Sequence, residues 1–137
     1  FGNIEHQPVV FFHKDIPYSQ YLALLSAADA MVITSLRDGM NLTSHEYVIC
    51  QREKKSPLVL SEFVGTYGSF NGGALGVNPM DTRAIAQAIK DALVMSDEEK
   101  LARWNLLHRQ VLTNSASSFV SSFISDIESA HAEAERH

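Results

Sequence analysis

Four short apolar runs punctuate this chain: Val9-Val10-Phe11-Phe12, Ala30-Met31-Val32-Ile33, Pro57-Leu58-Val59-Leu60-Ser61 and Ala74-Leu75-Gly76-Val77. Each is continuous rather than alternating, the pattern of a strand buried on both faces of a parallel sheet. Between and after them the apolar positions recur at helical spacing. Pro17 suits the first turn of a helix whose apolar side is Tyr18, Tyr21, Leu22, Leu24 and Leu25, ending near Ala28-Asp29. Asn41 to Gln51 has no Pro or Gly and predicts a second helix. Asp81 caps a third, Thr82 to Met95, with Ile85, Ala88, Ile89, Ala92 and Leu93 on one side. Ser96 and Glu99 stand in capping-box positions for a fourth, through Trp104, Leu107 and Val111 to about Leu112. Ser117 to Ala130 carries the stripe Phe119, Val120, Phe123, Ile124 and Ile127. Such stripes assign Trp104, Phe119 and Phe123 to the core.

The connections are equally distinct. Gln51 to Ser56 is a charged surface loop, and Glu62 to Gly73 is glycine-rich with room for one helical turn. His131 to His137 is a polar tail. Strands alternating with helices predict an α/β fold: a parallel sheet of about four strands with helices on both faces. At 137 residues the chain fits one core and not two. It begins with Phe1 rather than Met, so a fragment or a partly ordered chain is expected.

Composition narrows the function classes. A formal net charge of −5 offers no basic stripe for a nucleic-acid backbone. Cys50 is the single cysteine, so no intrachain disulfide or Cys-based zinc site can form, and a buried structural thiol is expected. No apolar run is long enough to span a membrane and no signal peptide is evident, so a cytoplasmic location without membrane attachment is expected.

The chemistry concentrates at Thr34-Ser35-Leu36-Arg37-Asp38-Gly39-Met40-Asn41-Leu42, followed by Glu46-Tyr47. This stretch reads as strand, tight turn, helix. Gly39 allows close backbone approach, and the helix start directs N–H groups and its positive dipole end at a ligand, as anion sites do. Asp38 and Asn41 add polar groups, and helical spacing puts Gly39, Thr43 and Glu46 roughly on one side. A carboxylate beside a phosphate site suits sugar hydroxyls. Other motifs fail. His45-Glu46 lacks a second histidine at Ile49, and no metal site is expected. Dinucleotide, Walker and nucleophile-elbow signatures are absent.

The order Arg37-Asp38-Gly39-Met40-Asn41-Leu42 with Glu46-Tyr47 resembles the donor-sugar signature of the trehalose-6-phosphate synthase family. Ser61-Glu62-Phe63 with Gly65, and Val77-Asn78-Pro79, resemble that family's segments after its last two strands. Phe1-Gly2 and Val9 to Pro17 resemble the approach to an earlier strand, so the resemblance covers about Phe1 to Ile127. It implies a retaining glycosyltransferase of the two-Rossmann-domain (GT-B) type, of which residues 1–130 are part of the C-terminal, donor-binding domain. The family transfers glucose from UDP-glucose to glucose-6-phosphate. By position, Asp38 is the implied catalytic-site residue on the glucose hydroxyls. Gly39, Met40, Asn41, Leu42 and Thr43 would bind sugar and diphosphate through the backbone, and Glu46 would hold the ribose hydroxyls. Lys14 to Ile16 would line the uracil pocket. No cofactor or metal is implied.

Departures from the family pattern are Met80 after Asn-Pro, Phe119 in place of a Trp, and Gly65-Thr66-Tyr67-Gly68. The phosphate-holding Arg and Lys and the acceptor domain are not among these residues, so this chain alone is not expected to catalyse. Asn41-Leu42-Thr43-Ser44-His45-Glu46-Tyr47 resembles fungal members most, including non-catalytic regulatory subunits. Other subunits of a trehalose synthase complex, or a second copy of the chain, are the implied partners. In the complete domain two further strands would separate Val9–Phe12 from Met31–Thr34. Either the first strand shifts or a neighbour fills that gap.

Overall fold

The computed structural model describes residues 8–134. Its elements run α1 (Tyr18–Ala27), β1 (Met31–Ile33), α2 (Leu42–Cys50), β2 (Leu58–Ser61), α3 (Gly65–Ser69), β3 (Leu75–Val77), α4 (Thr82–Val94), α5 (Asp97–Thr113) and α6 (Ala116–Ala134). The strands form one parallel sheet in the order β1-β2-β3. Met31 lies opposite Leu58 and Ile33 opposite Leu60; Val59 lies opposite Leu75 and Ser61 opposite Val77.

The central strand shows why its residues are continuously apolar. Successive side chains leave opposite faces of a strand. Leu58 and Leu60 join Leu25, Tyr47, Val48, Phe70 and Leu107 on one face. Val59 joins Val77 and Ala92 on the other, with Ile85 and Ala88 packed against them. Helices α1, α2 and α5 thus cover one face and α4 the other, as the alternation of elements predicts. On β3, Gly76 admits the Tyr67 ring, since a Cβ there would lie 2.1 Å from the Tyr67 hydroxyl.

The sheet has three strands rather than four. Val9 to Phe12 forms no ladder, and Phe11 is 82% exposed. A strand exists only where its N–H and C=O groups meet a partner, and β1 is the edge of the sheet here. Among the described residues no further strand of this chain pairs with β1. The resemblance at Phe1-Gly2 lies outside them.

Several further expectations change. Phe119 and Phe123 stack on one another, with ring centroids 6.2 Å apart, but both are exposed, and α6 buries none of its residues. An amphipathic stripe identifies a face without supplying the surface that covers it. Gln51, read as part of a surface loop, is fully buried. Its amide donates to the carbonyls of Leu25 (2.6 Å) and Ala28 (3.2 Å) and accepts from the Ser56 N–H (3.0 Å). Cys50 is half-buried at the rim of the core. Trp104 is also half-buried, and its indole donates to the Val48 carbonyl at 3.0 Å, pinning α5 to α2. Helix α6 continues through Ala134, four positions into the stretch read as a polar tail.

Candidate functional site

The turn between β1 and α2 is held by its own polar side chains. Asp38 Oδ1 accepts from the Met40 N–H at 3.2 Å and Oδ2 from the Asn41 amide at 2.9 Å. These two bonds, the Asn41 one foremost, hold the Asp38 carboxyl below its ordinary value of 3.8. Asn41 is the N-cap of α2, with φ of 72°, and its Oδ1 accepts from the Ser44 N–H at 2.9 Å. Asparagine tolerates this left-handed backbone and is a favoured N-cap, so one residue type meets both demands. The Ser44 hydroxyl donates back to the Asn41 carbonyl at 2.7 Å and lies 3.3 Å from the Thr66 hydroxyl.

A second segment braces the turn. The Gly65 N–H donates to the Asp38 carbonyl at 3.0 Å, and Asp38 bridges Val64 in parallel. A Cβ on Gly65 would sit 2.0 Å from the Gly39 carbonyl oxygen, so only glycine lets the α3 start come this close. The glycine expected to admit a ligand stands differently: nothing lies within 4 Å of a Cβ placed on Gly39, whose surroundings are open.

The residues singled out in the sequence divide between neighbouring cavities. Gly39 and Met40 line one of about 330 Å³ with His45, Gly65, Thr66 and Asn114. Glu46, one turn into α2, lines another of about 240 Å³ with Tyr18, Leu22, His45, Ile49 and Cys50. Met40 and Leu42 also border a larger apolar cavity of about 620 Å³ toward Phe119 and Ser122 of α6. Leu42 and Thr43 occupy the first two positions of α2, where N–H groups have no partner inside the helix. The structure therefore assembles Asp38 through Thr43 as one unit and sets Glu46 beside it, facing α1. Ahead of α1, Lys14 and Asp15 are exposed and Ile16 is half-buried.

Several roles at the site come from tertiary contacts. His45 lines all three cavities, packs its ring on Phe70 at 5.2 Å and places Nδ1 3.3 Å from the Asn41 carbonyl. Tyr21 of α1 donates its phenol hydroxyl to Glu46 Oε2 at 2.5 Å. Tyr47 is buried and donates to the carbonyls of Ser56 and Pro57, each at 3.2 Å, tying α2 to the entry of β2. Burial pushes its phenol pKa up. Thr66 and Tyr21 gave no signal because their partners lie 22 and 25 residues away in the chain.

Known proteins resemble the chain in sequence and in fold. The chain is 44% identical over 121 residues to a trehalose synthase complex regulatory subunit of Saccharomyces cerevisiae, covering 88% of this chain and 11% of that protein. It is 39% identical over 127 residues to the 56 kDa subunit of the UDP-forming alpha,alpha-trehalose-phosphate synthase of the same yeast, covering 93% and 26%. Among solved structures, the N-terminal domain of Candida albicans trehalose-6-phosphate phosphatase superposes with a TM-score of 0.87 at 46% identity, covering 93% of this chain and 27% of that one. A UDP-forming alpha,alpha-trehalose-phosphate synthase from Burkholderia vietnamiensis gives 0.85 at 33% identity, covering 98% and 30%. The chain thus spans only between 11% and 30% of the length of these relatives. Residues 1–129 match the description of glycosyltransferase family 20, and the chain belongs to that family.

Proposed function

We propose that this chain supplies half of the donor site of a UDP-forming alpha,alpha-trehalose-phosphate synthase, which transfers glucose from UDP-glucose to glucose-6-phosphate with retention. The observation that carries the reading is the turn from Asp38 to Thr43. It is pre-formed by its own hydrogen bonds, open at Gly39, and followed by the free N–H groups at the start of α2. A diphosphate placed there gains fixed donors and the helix dipole with little reorganisation. Asp38 spends one acceptor position on each oxygen within the turn, and the remaining lone pairs are available to glucose hydroxyls. Glu46 is set to accept from the ribose hydroxyls, and Ile16 and its neighbours border the base.

The reaction on this reading breaks the bond between the anomeric carbon and the diphosphate oxygen. The acceptor hydroxyl forms its new bond on the same face, and its proton goes to the departing phosphate. Fixed dipoles and cations from outside this chain stabilise the charge that develops, and no metal or cofactor is required. A cytoplasmic setting suits a sugar nucleotide as substrate.

The 44% identity to the regulatory subunit motivates a second reading: a regulatory subunit of a trehalose synthase complex that keeps the donor fold. Titration of the natural full-length protein with UDP-glucose, followed by a transfer assay with glucose-6-phosphate, separates the two. Binding with transfer supports the synthase, binding without transfer the regulatory subunit, and no binding refutes the donor site.

A further inference from the structure

Glu46 does not wait freely for a ligand. The Tyr21 phenol crosses from α1 to donate to Oε2 at 2.5 Å, the length of a strong charge-assisted bond. Tyr21 is half-buried; burial, then the bond to Glu46, raise its phenol pKa. The phenol therefore remains a donor throughout the neutral range.

A free glutamate side chain has three rotatable bonds, and ordering it on a ligand costs conformational entropy. A carboxylate already held by a phenol has lost that freedom before the ligand arrives. The bond takes one lone pair of Oε2 and leaves Oε1 open. That oxygen is free for a vicinal diol, and the carboxylate borders the 240 Å³ cavity between α1 and α2.

We propose that Tyr21 is a positioning residue for nucleotide recognition: its hydroxyl fixes the Glu46 carboxylate in the orientation that accepts from the ribose diol of the donor. The proposal rests on the assignment of Glu46 to the ribose. If Tyr21 merely packed α1 against α2, its ring would suffice and its hydroxyl would not affect ligand selectivity.

Isothermal titration of the natural full-length protein with UDP and with 2′,3′-dideoxy-UDP, which lacks the diol, tests this. Tyr21→Phe keeps the ring, and thermal melting confirms that the variant is folded. The expected result is a loss of UDP affinity of about 3- to 10-fold, the range of one hydrogen bond, with dideoxy-UDP affinity unchanged. In a Glu46→Gln background, Tyr21→Phe should add nothing. Unchanged or tighter UDP binding by Tyr21→Phe, or equal weakening of both ligands, overturns the positioning role if Glu46→Gln still erases the preference for the diol. If Glu46→Gln leaves that preference intact, the ribose assignment itself fails, and the role of Tyr21 fails with it.

Discussion

Asp38 shows how one side chain organises the site before any ligand is present. Its carboxylate is fixed by the Met40 N–H and the Asn41 amide, which favour the charged form. Its folded pKa is depressed, so its contribution to the turn is complete above its ordinary value of 3.8 and is lost as pH falls through the lower folded value. A carboxyl-carbon NMR titration should place the Asp38 midpoint below 3.8, and Asn41→Ala should raise it by removing the largest cause. A midpoint at or above 3.8 in the wild type contradicts this geometry. At this scale the sequence was informative about chemistry and less so about constraint. The acidic and amide groups at 38 and 41 were plain. The left-handed φ of Asn41 and the need for glycine at 65 depend on how the α3 start presses on the turn, a contact that no local pattern encodes.

Among the elements, helices with strong local signals appear where capping and periodicity place them. Asp81 caps α4 through the N–H groups of Arg83 and Ala84, and Ser96 caps α5 through that of Glu99. Strands that had partners formed, and Val9 to Phe12, which had none, did not. Pattern describes what an element is able to bury; pairing depends on what stands beside it. Gln51 was the residue most misjudged, because its charged neighbours Arg52 to Lys55 suggested solvent. It joins the end of α1 to the loop before β2 through three hydrogen bonds. Gln51→Leu would keep the volume and strand those backbone groups. Each buried unpaired group costs about 1–3 kcal/mol, so denaturant unfolding should report a loss of at least about 2 kcal/mol. A change below about 0.5 kcal/mol, typical of surface substitutions, would contradict this role.

The whole molecule exposes more surface than its size warrants. Its accessible area is 9872 Å², where a compact monomer of 15.2 kDa exposes about 7,100 Å². The excess includes the α6 stripe from Phe119 to Ile127, the unpaired run at Val9 to Phe12 and the open edge of β1. These are the features that the sequence assigned to the core or the sheet, and each lacks a covering surface among the described residues. The 137-residue chain expressed alone should therefore bind an apolar dye such as ANS and unfold over a broad range. The natural full-length protein should bind little dye and unfold sharply. Equal dye binding and equally sharp unfolding by the two would contradict the reading of these surfaces as unfilled interfaces.

On the proposed reading, the turn from Asp38 to Thr43, with Glu46, is the donor site for a sugar nucleotide. Titration of UDP-glucose into the natural full-length protein and its Asp38→Ala and Glu46→Ala variants tests it most directly, with melting curves to establish that each variant is folded. Loss of a buried charge-assisted hydrogen bond costs about 1–3 kcal/mol, so each variant should bind about 5- to 150-fold more weakly than wild type. Folded variants that bind UDP-glucose as tightly as wild type would contradict the account.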